Sequence, residues 1–169
     1  MEQFLIVYQQ SLRRLRIAEH ILNVTYPLLQ DPKLLLGVID NLFFSLTGAM
    51  KSLLLYDYAN KSIPPFKDTP SARLRMFQVR SMALHHIDAA YLTHFYDIRE
   101  LVHRHHTSSV EFRRKDQFVM CTAAYELTVV TVSTMRRYII KTKQFIDAIG
   151  SVIHYERLSR GSAGRIEAR

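Results

Sequence analysis

Arg99, His103, His105 and His106 lie within a few turns of one another, and six of the eight histidines fall between His85 and His106. Histidine takes up or releases a proton near neutral pH, whereas arginine keeps a fixed charge on a planar fork that matches a phosphate. Together these types suit chemistry on a phosphodiester, and RNA is the expected substrate. Arg104, Arg113, Arg114 and Lys115 extend the positive charge downstream and are expected to contact an RNA backbone.

On a helix turning about 100° per residue, Arg99 and His103 share a face, and His106 returns to nearly the same direction. His105 stands about 120° from Arg99, nearer the apolar stripe through Ile98 and Val102, so a ragged helix end is needed to free it. Packing offers a plainer account of His94 and His105, and solvation one of His103 and His106. A metal site built from His85, His86, His94, His103 and His106 lacks any HExxH or paired CxxC pattern, so neither metal nor cofactor is expected. Only five glycines are present, with no phosphate-cradling loop of the nucleotide-binding type.

The run Arg99-Glu100-Leu101-Val102-His103-Arg104-His105 resembles the signature of HEPN domains, an arginine followed after four to six residues by a histidine. The resemblance implies an all-helical bundle, a homodimer with its cleft across the two-fold axis, and a metal-independent endoribonuclease. In that chemistry the RNA 2′-hydroxyl attacks the adjacent phosphorus and leaves a 2′,3′-cyclic phosphate. Arg99 would stabilise the growing phosphoryl charge, with His105 first and His106 second as acid or base; His103 stands closer than the signature asks. Glu100 departs from the Asn, Asp or His that usually follows the arginine, and its charge competes for the guanidinium. The alternative is a non-catalytic helical dimer binding RNA, a nucleotide or a partner protein. A toxin-antitoxin pairing with a small nucleotidyltransferase is a further implied context.

A chain of 169 residues, 48% hydrophobic, closes one core, so a single domain over residues 1–158 is expected with a flexible tail over 159–169. Its formal charge of +8 favours anionic partners. One cysteine, Cys121, makes no internal disulfide, and Arg13, Arg14 and Arg16 interrupt the apolar core that a signal peptide requires. No apolar run approaches the roughly 20 residues of a membrane span, which points to a cytoplasmic protein with no membrane partner.

Five helices must position the Arg/His group. Phe4, Tyr8, Leu12, Leu15, Ala18 and Leu22 recur at helical spacing up to Pro27. Asp31 and Pro32 open a second helix that carries Leu35, Val38, Leu42, Leu46, Ala49 and Leu53 towards Asn60. Thr69 and Pro70 open a third, with Met76, Val79 and Leu84 turned inward. Ile87, Tyr91, Phe95, Ile98 and Val102 carry a fourth as far as Thr107 and Ser108. Residues 118–121 and 127–130, β-branched and aromatic, predict a small β-hairpin, and Thr134 is expected to cap the last helix. The pattern is an all-α, five-helix up-and-down bundle, HEPN-like, with a hairpin between its last two helices.

Overall fold

The computed structural model describes the backbone of residues 2–163 and side chains as far as His154. Helix α1 occupies residues 3–29 and buries Phe4, Leu5, Tyr8, Leu15, Ala18 and Leu22. It runs through Pro27, where the sequence predicted a stop, because Ile21–Thr25 form a π turn in which Tyr26 N–H reaches back to the Ile21 carbonyl. The widened turn re-phases the backbone ahead of the proline, whose ring and missing N–H then fit without a break. Gln30, left-handed at φ 49°, ends the helix.

Helix α2, Leu34–Ala59, starts where Asp31 and Pro32 predicted, and the Asp31 carboxylate accepts the Lys33 N–H at 2.9 Å. It is the central element, packed against α1 and against all three helices that follow. Small residues bring α1 close: Ser11 Oγ donates to the Ser45 carbonyl at 2.7 Å, Ser45 Oγ donates to the Ser11 carbonyl at 2.9 Å, and Ser52 Oγ donates to the Phe4 carbonyl at 2.8 Å. A Cβ on Gly48 would stand 3.3 Å from Ser11 Cβ, so the helices cross closely here and an alanine would need Ser11 to shift by a few tenths of an ångström.

Among the described residues α2 is also the one helix long and apolar enough to cross a membrane, with mean hydropathy 1.3, and 50% of that stretch is buried in the bundle. The expectation that no run approaches spanning length therefore changes. A helix surrounded on several sides is apolar on several faces, as a central core helix must be.

Helix α3 spans residues 70–84, with Thr69 Oγ1 accepting the Ala72 N–H and Pro70 in the first turn, as the sequence indicates. A second π turn, Phe77–Ser81, shifts its phase. Phe77 and Ser81 turn inward, whereas Val79, expected in the core, is 61% exposed. Periodicity counted at 3.6 residues per turn fails once one extra residue enters a turn.

Helix α4, Ala90–Thr107, buries His94, Phe95 and Ile98. Three antiparallel strands follow, β1 Val110–Arg114, β2 Gln117–Cys121 and β3 Leu127–Val130, in spatial order β1-β2-β3. The expected hairpin is β2 and β3. β1 is an addition: every one of its residues is exposed, and its apolar-polar alternation, Val110-Glu111-Phe112-Arg113, is only four residues long. Phe118, Met120 and Val130 face the bundle and join its core.

Helix α5, Val132–Ala163, begins earlier than expected because Thr131, not Thr134, caps it; Thr131 Oγ1 accepts the Thr134 N–H at 3.2 Å. The helix passes Ser159, where the tail was expected to begin, and residues 164–169 lie outside those described. The architecture is a bundle of five helices with a small three-stranded sheet between the last two.

Gly150 on α5 faces the Tyr8 hydroxyl, which donates to the Ile146 carbonyl at 3.1 Å, and a Cβ at this glycine would overlap that hydroxyl. Gly150→Ala is expected to destabilise the fold by about 1–3 kcal/mol through overpacking. Urea unfolding of Tyr8→Phe/Gly150→Ala should recover part of that loss, because the phenylalanine ring lacks the clashing oxygen.

Candidate functional site

Helix α4 divides the Arg/His group between two surroundings. Arg99 turns towards α2 and α3, its guanidinium 4.8 Å from the Tyr96 ring centroid and 6.0 Å from that of Phe95. It borders a cavity of about 490 Å³ walled by Phe43, Phe44 and Met50 of α2, Leu74 of α3 and Phe95 of α4. Phe43 stacks on Phe95 with centroids 6.0 Å apart. Phe44, 53% exposed, forms the rim, and Arg14 of α1 lies over its ring at 5.2 Å. Arg73 also lines the cavity but sits 3.2 Å from the Asp68 carboxylate, which Lys51 shares. Among the described residues Arg99 has no carboxylate partner, so its charge is available at an aromatic rim.

His105 turns instead towards the sheet. Its Nδ1 lies 2.7 Å from Glu111 Oε1 of β1, and the same oxygen accepts the Ser108 hydroxyl at 2.7 Å. Burial pushes the Glu111 carboxyl up, but the hydrogen bonds from Ser108 and His105, with the charges of His105 and Lys33, outweigh it and hold the group below the usual carboxylate range. The result is a carboxylate that fixes one imidazole nitrogen, an arrangement that orients a proton-transfer histidine and equally well ties a strand to a helix. His106 is tilted against His105 at 5.4 Å and exposed, as is His103. Arg99 and His105 thus face different elements, and one protomer does not assemble them.

The cations assigned to an RNA backbone also separate. Arg104 donates to Glu100 at 2.8 Å and to Thr128 of β3 at 3.0 Å, with Glu126 3.7 Å away. That contact turns Glu100 towards Arg104 on its own helix. Arg113 pairs with Asp31 at 3.2 Å. Arg114 and Lys115 remain exposed, Lys115 at φ 54° in the two-residue turn between β1 and β2.

Two of the other histidines, His94 and His85, serve the core. His94, 2% exposed, has its Nε2 2.8 Å from Thr142 Oγ1 and packs edge-on against Tyr138. His85 Nε2 lies 2.6 Å from Asp57 Oδ1, while Ser81 donates to Oδ2 at 2.5 Å. Serine and histidine both approach the carboxylate rather than each other, so no nucleophile-to-base relay exists, and the cluster pins the end of α2 to α3. Asp57 was not apparent as a site residue from sequence, since nothing local marks a carboxylate for burial. Asn41 bonds the Gly37 carbonyl at 2.8 Å and accepts from Arg14 at 3.4 Å, which ties α1 to α2. Among the described residues no group of three or more His, Cys, Asp or Glu gathers as a metal site.

The aromatic rim escaped sequence reasoning because Phe43, Phe44 and Arg14 belong to helices remote in sequence from Arg99. The weak signal was Phe44, an apolar residue outside the stripe that α2 buries. Comparison with protein-family models, with curated proteins and with solved structures finds no match for this chain.

Burial first, then the charge of Lys141, lowers the His94 pKa from 6.5 to about 4. The unfolded chain therefore binds this proton first, so the stability contributed by neutral His94 is complete above pH 6.5 and drains away as pH falls towards about 4. Urea titrations should show a loss of about 2–3 kcal/mol across that interval, with the slope flattened in His94→Gln.

Proposed function

We propose that the protein is a helical RNA-binding module that holds single-stranded RNA on the surface formed by Arg14, Phe44, Arg99 and Tyr96. The observation that carries this reading is a cavity bordered by Phe44 and Arg99, with Arg14 over the Phe44 ring and Arg99 over the exposed Tyr96 ring, and Arg99 without a carboxylate partner among the described residues. Single strands are recognised by this combination, bases stacking on aromatic faces while arginines meet the phosphates. The net charge of +8 supplies long-range attraction for the same ligand.

Metal-independent cleavage, the HEPN-like reading, is the second reading, favoured by the carboxylate-held His105. It requires a second copy, because Arg99 and His105 of one chain face different elements. Cytoplasmic location and a nucleotidyltransferase partner belong with that reading.

Fluorescence anisotropy with a fluorescein-labelled mixed-sequence RNA oligonucleotide tests the binding reading. Phe44→Ala and Arg99→Ala should each weaken binding by about tenfold, near the lower end of what one stacked base or one phosphate contact supplies. Arg99→Ala should also reduce the salt dependence, whereas Arg113→Ala, whose charge Asp31 already pairs, should change little. Equal affinity in all three variants and the wild type would refute the surface. Incubation in EDTA with analysis of RNA ends separates the second reading: cyclic phosphate ends that vanish in His105→Ala and Arg99→Ala establish cleavage, and intact RNA at high protein concentration rejects it.

A further inference from the structure

Strand β1 is an edge strand of the sheet. Thr122 N–H donates to the Glu126 carbonyl, so even-numbered residues of β2 bond to β3 and Gln117, Val119 and Cys121 bond to β1. Their partners across the ladder are Arg114, Phe112 and Val110, which leaves the main-chain N–H and C=O of Glu111 and Arg113 directed away from the sheet. The edge thus offers two residues with free hydrogen-bonding groups, one acidic and one basic, on either side of Phe112.

We propose that two copies of the chain dimerise by antiparallel pairing of β1 about a two-fold axis at Phe112, joining their sheets into one of six strands. In this register Glu111 of each copy stands opposite the partner's Arg113, and four main-chain hydrogen bonds close the edge. An axis at Glu111 or at Arg113 would set like charges opposite each other, so charge selects the Phe112 register. Phe112, 43% exposed in the single chain, then meets its own copy at a close, non-hydrogen-bonded pair, extending the apolar row that Phe112 forms with Val119 and Val129. The same pairing brings the partner's Arg113 beside the Glu111 that holds His105, so an arginine and a histidine from different chains share one end of the sheet. Dimerisation uses none of the residues of the RNA surface, and its failure leaves that reading intact.

Analytical ultracentrifugation of the full chain and its charge variants tests the pairing, with circular dichroism to establish folding. The wild type should be a dimer. Glu111→Arg and Arg113→Glu should each weaken self-association by at least about tenfold, since each places like charges opposite one another twice. An equimolar mixture of the two should restore a heterodimer, because each then supplies what the other lacks. Arg113→Pro removes an outward N–H without touching the bonds to β2 and should be monomeric even if a charge variant folds poorly. A monomeric wild type, a dimer that persists through all three substitutions, or no heterodimer from two folded variants overturns the proposal.

Discussion

The close crossing of α1 and α2 sets the geometry on which the other elements depend. Ser11 and Ser45 each donate to the other's carbonyl, so two buried hydroxyls are satisfied and two helices are fixed in register. A buried hydroxyl without such a partner costs about 1–3 kcal/mol, so any slip along the helices carries a penalty at both residues. With α1 held on one side, α2 presents Asp57 to Ser81 of α3 and to His85, and Phe43 and Phe44 to the cavity beside α4.

Polar contacts then attach the sheet to the bundle, and they draw on residues whose types would suit catalysis. Arg104 with Glu100 and Thr128, His105 with Glu111 and Ser108, and Arg113 with Asp31 join α4 or the start of α2 to the strands. These are partly exposed contacts whose individual contributions are modest, and their shared effect is to orient a small sheet whose apolar inner face already packs on the core. Arg99 differs from these: its surroundings are aromatic, and among the described residues no carboxylate pairs with it.

Two π turns show where periodic reasoning meets its limit. Ile21–Thr25 allows α1 to pass Pro27, and Phe77–Ser81 turns Val79 out and Ser81 in. Ser81 in turn reaches the buried Asp57, so the extra residue in the turn and the buried polar cluster belong together. Neither turn has a composition that marks it, because an inserted residue changes phase without changing residue type.

Local signals in the sequence were enough for the helix starts at Asp31 and Thr69, the amphipathic stripes of α1, α2 and α4, and the hairpin of β2 and β3. Each rests on forces between near neighbours, namely capping hydrogen bonds, fixed proline φ and side-chain periodicity. The concentration of histidine and arginine near residue 100 was equally plain. Which of those side chains remains free was decided only by tertiary structure, because Glu111, Asp57 and Thr142 approach His105, His85 and His94 from other elements. The exposed β1 and the aromatic rim around Arg99 have the same origin. Partners distant in sequence set burial and charge pairing, and no spacing along one helix encodes what packs against it.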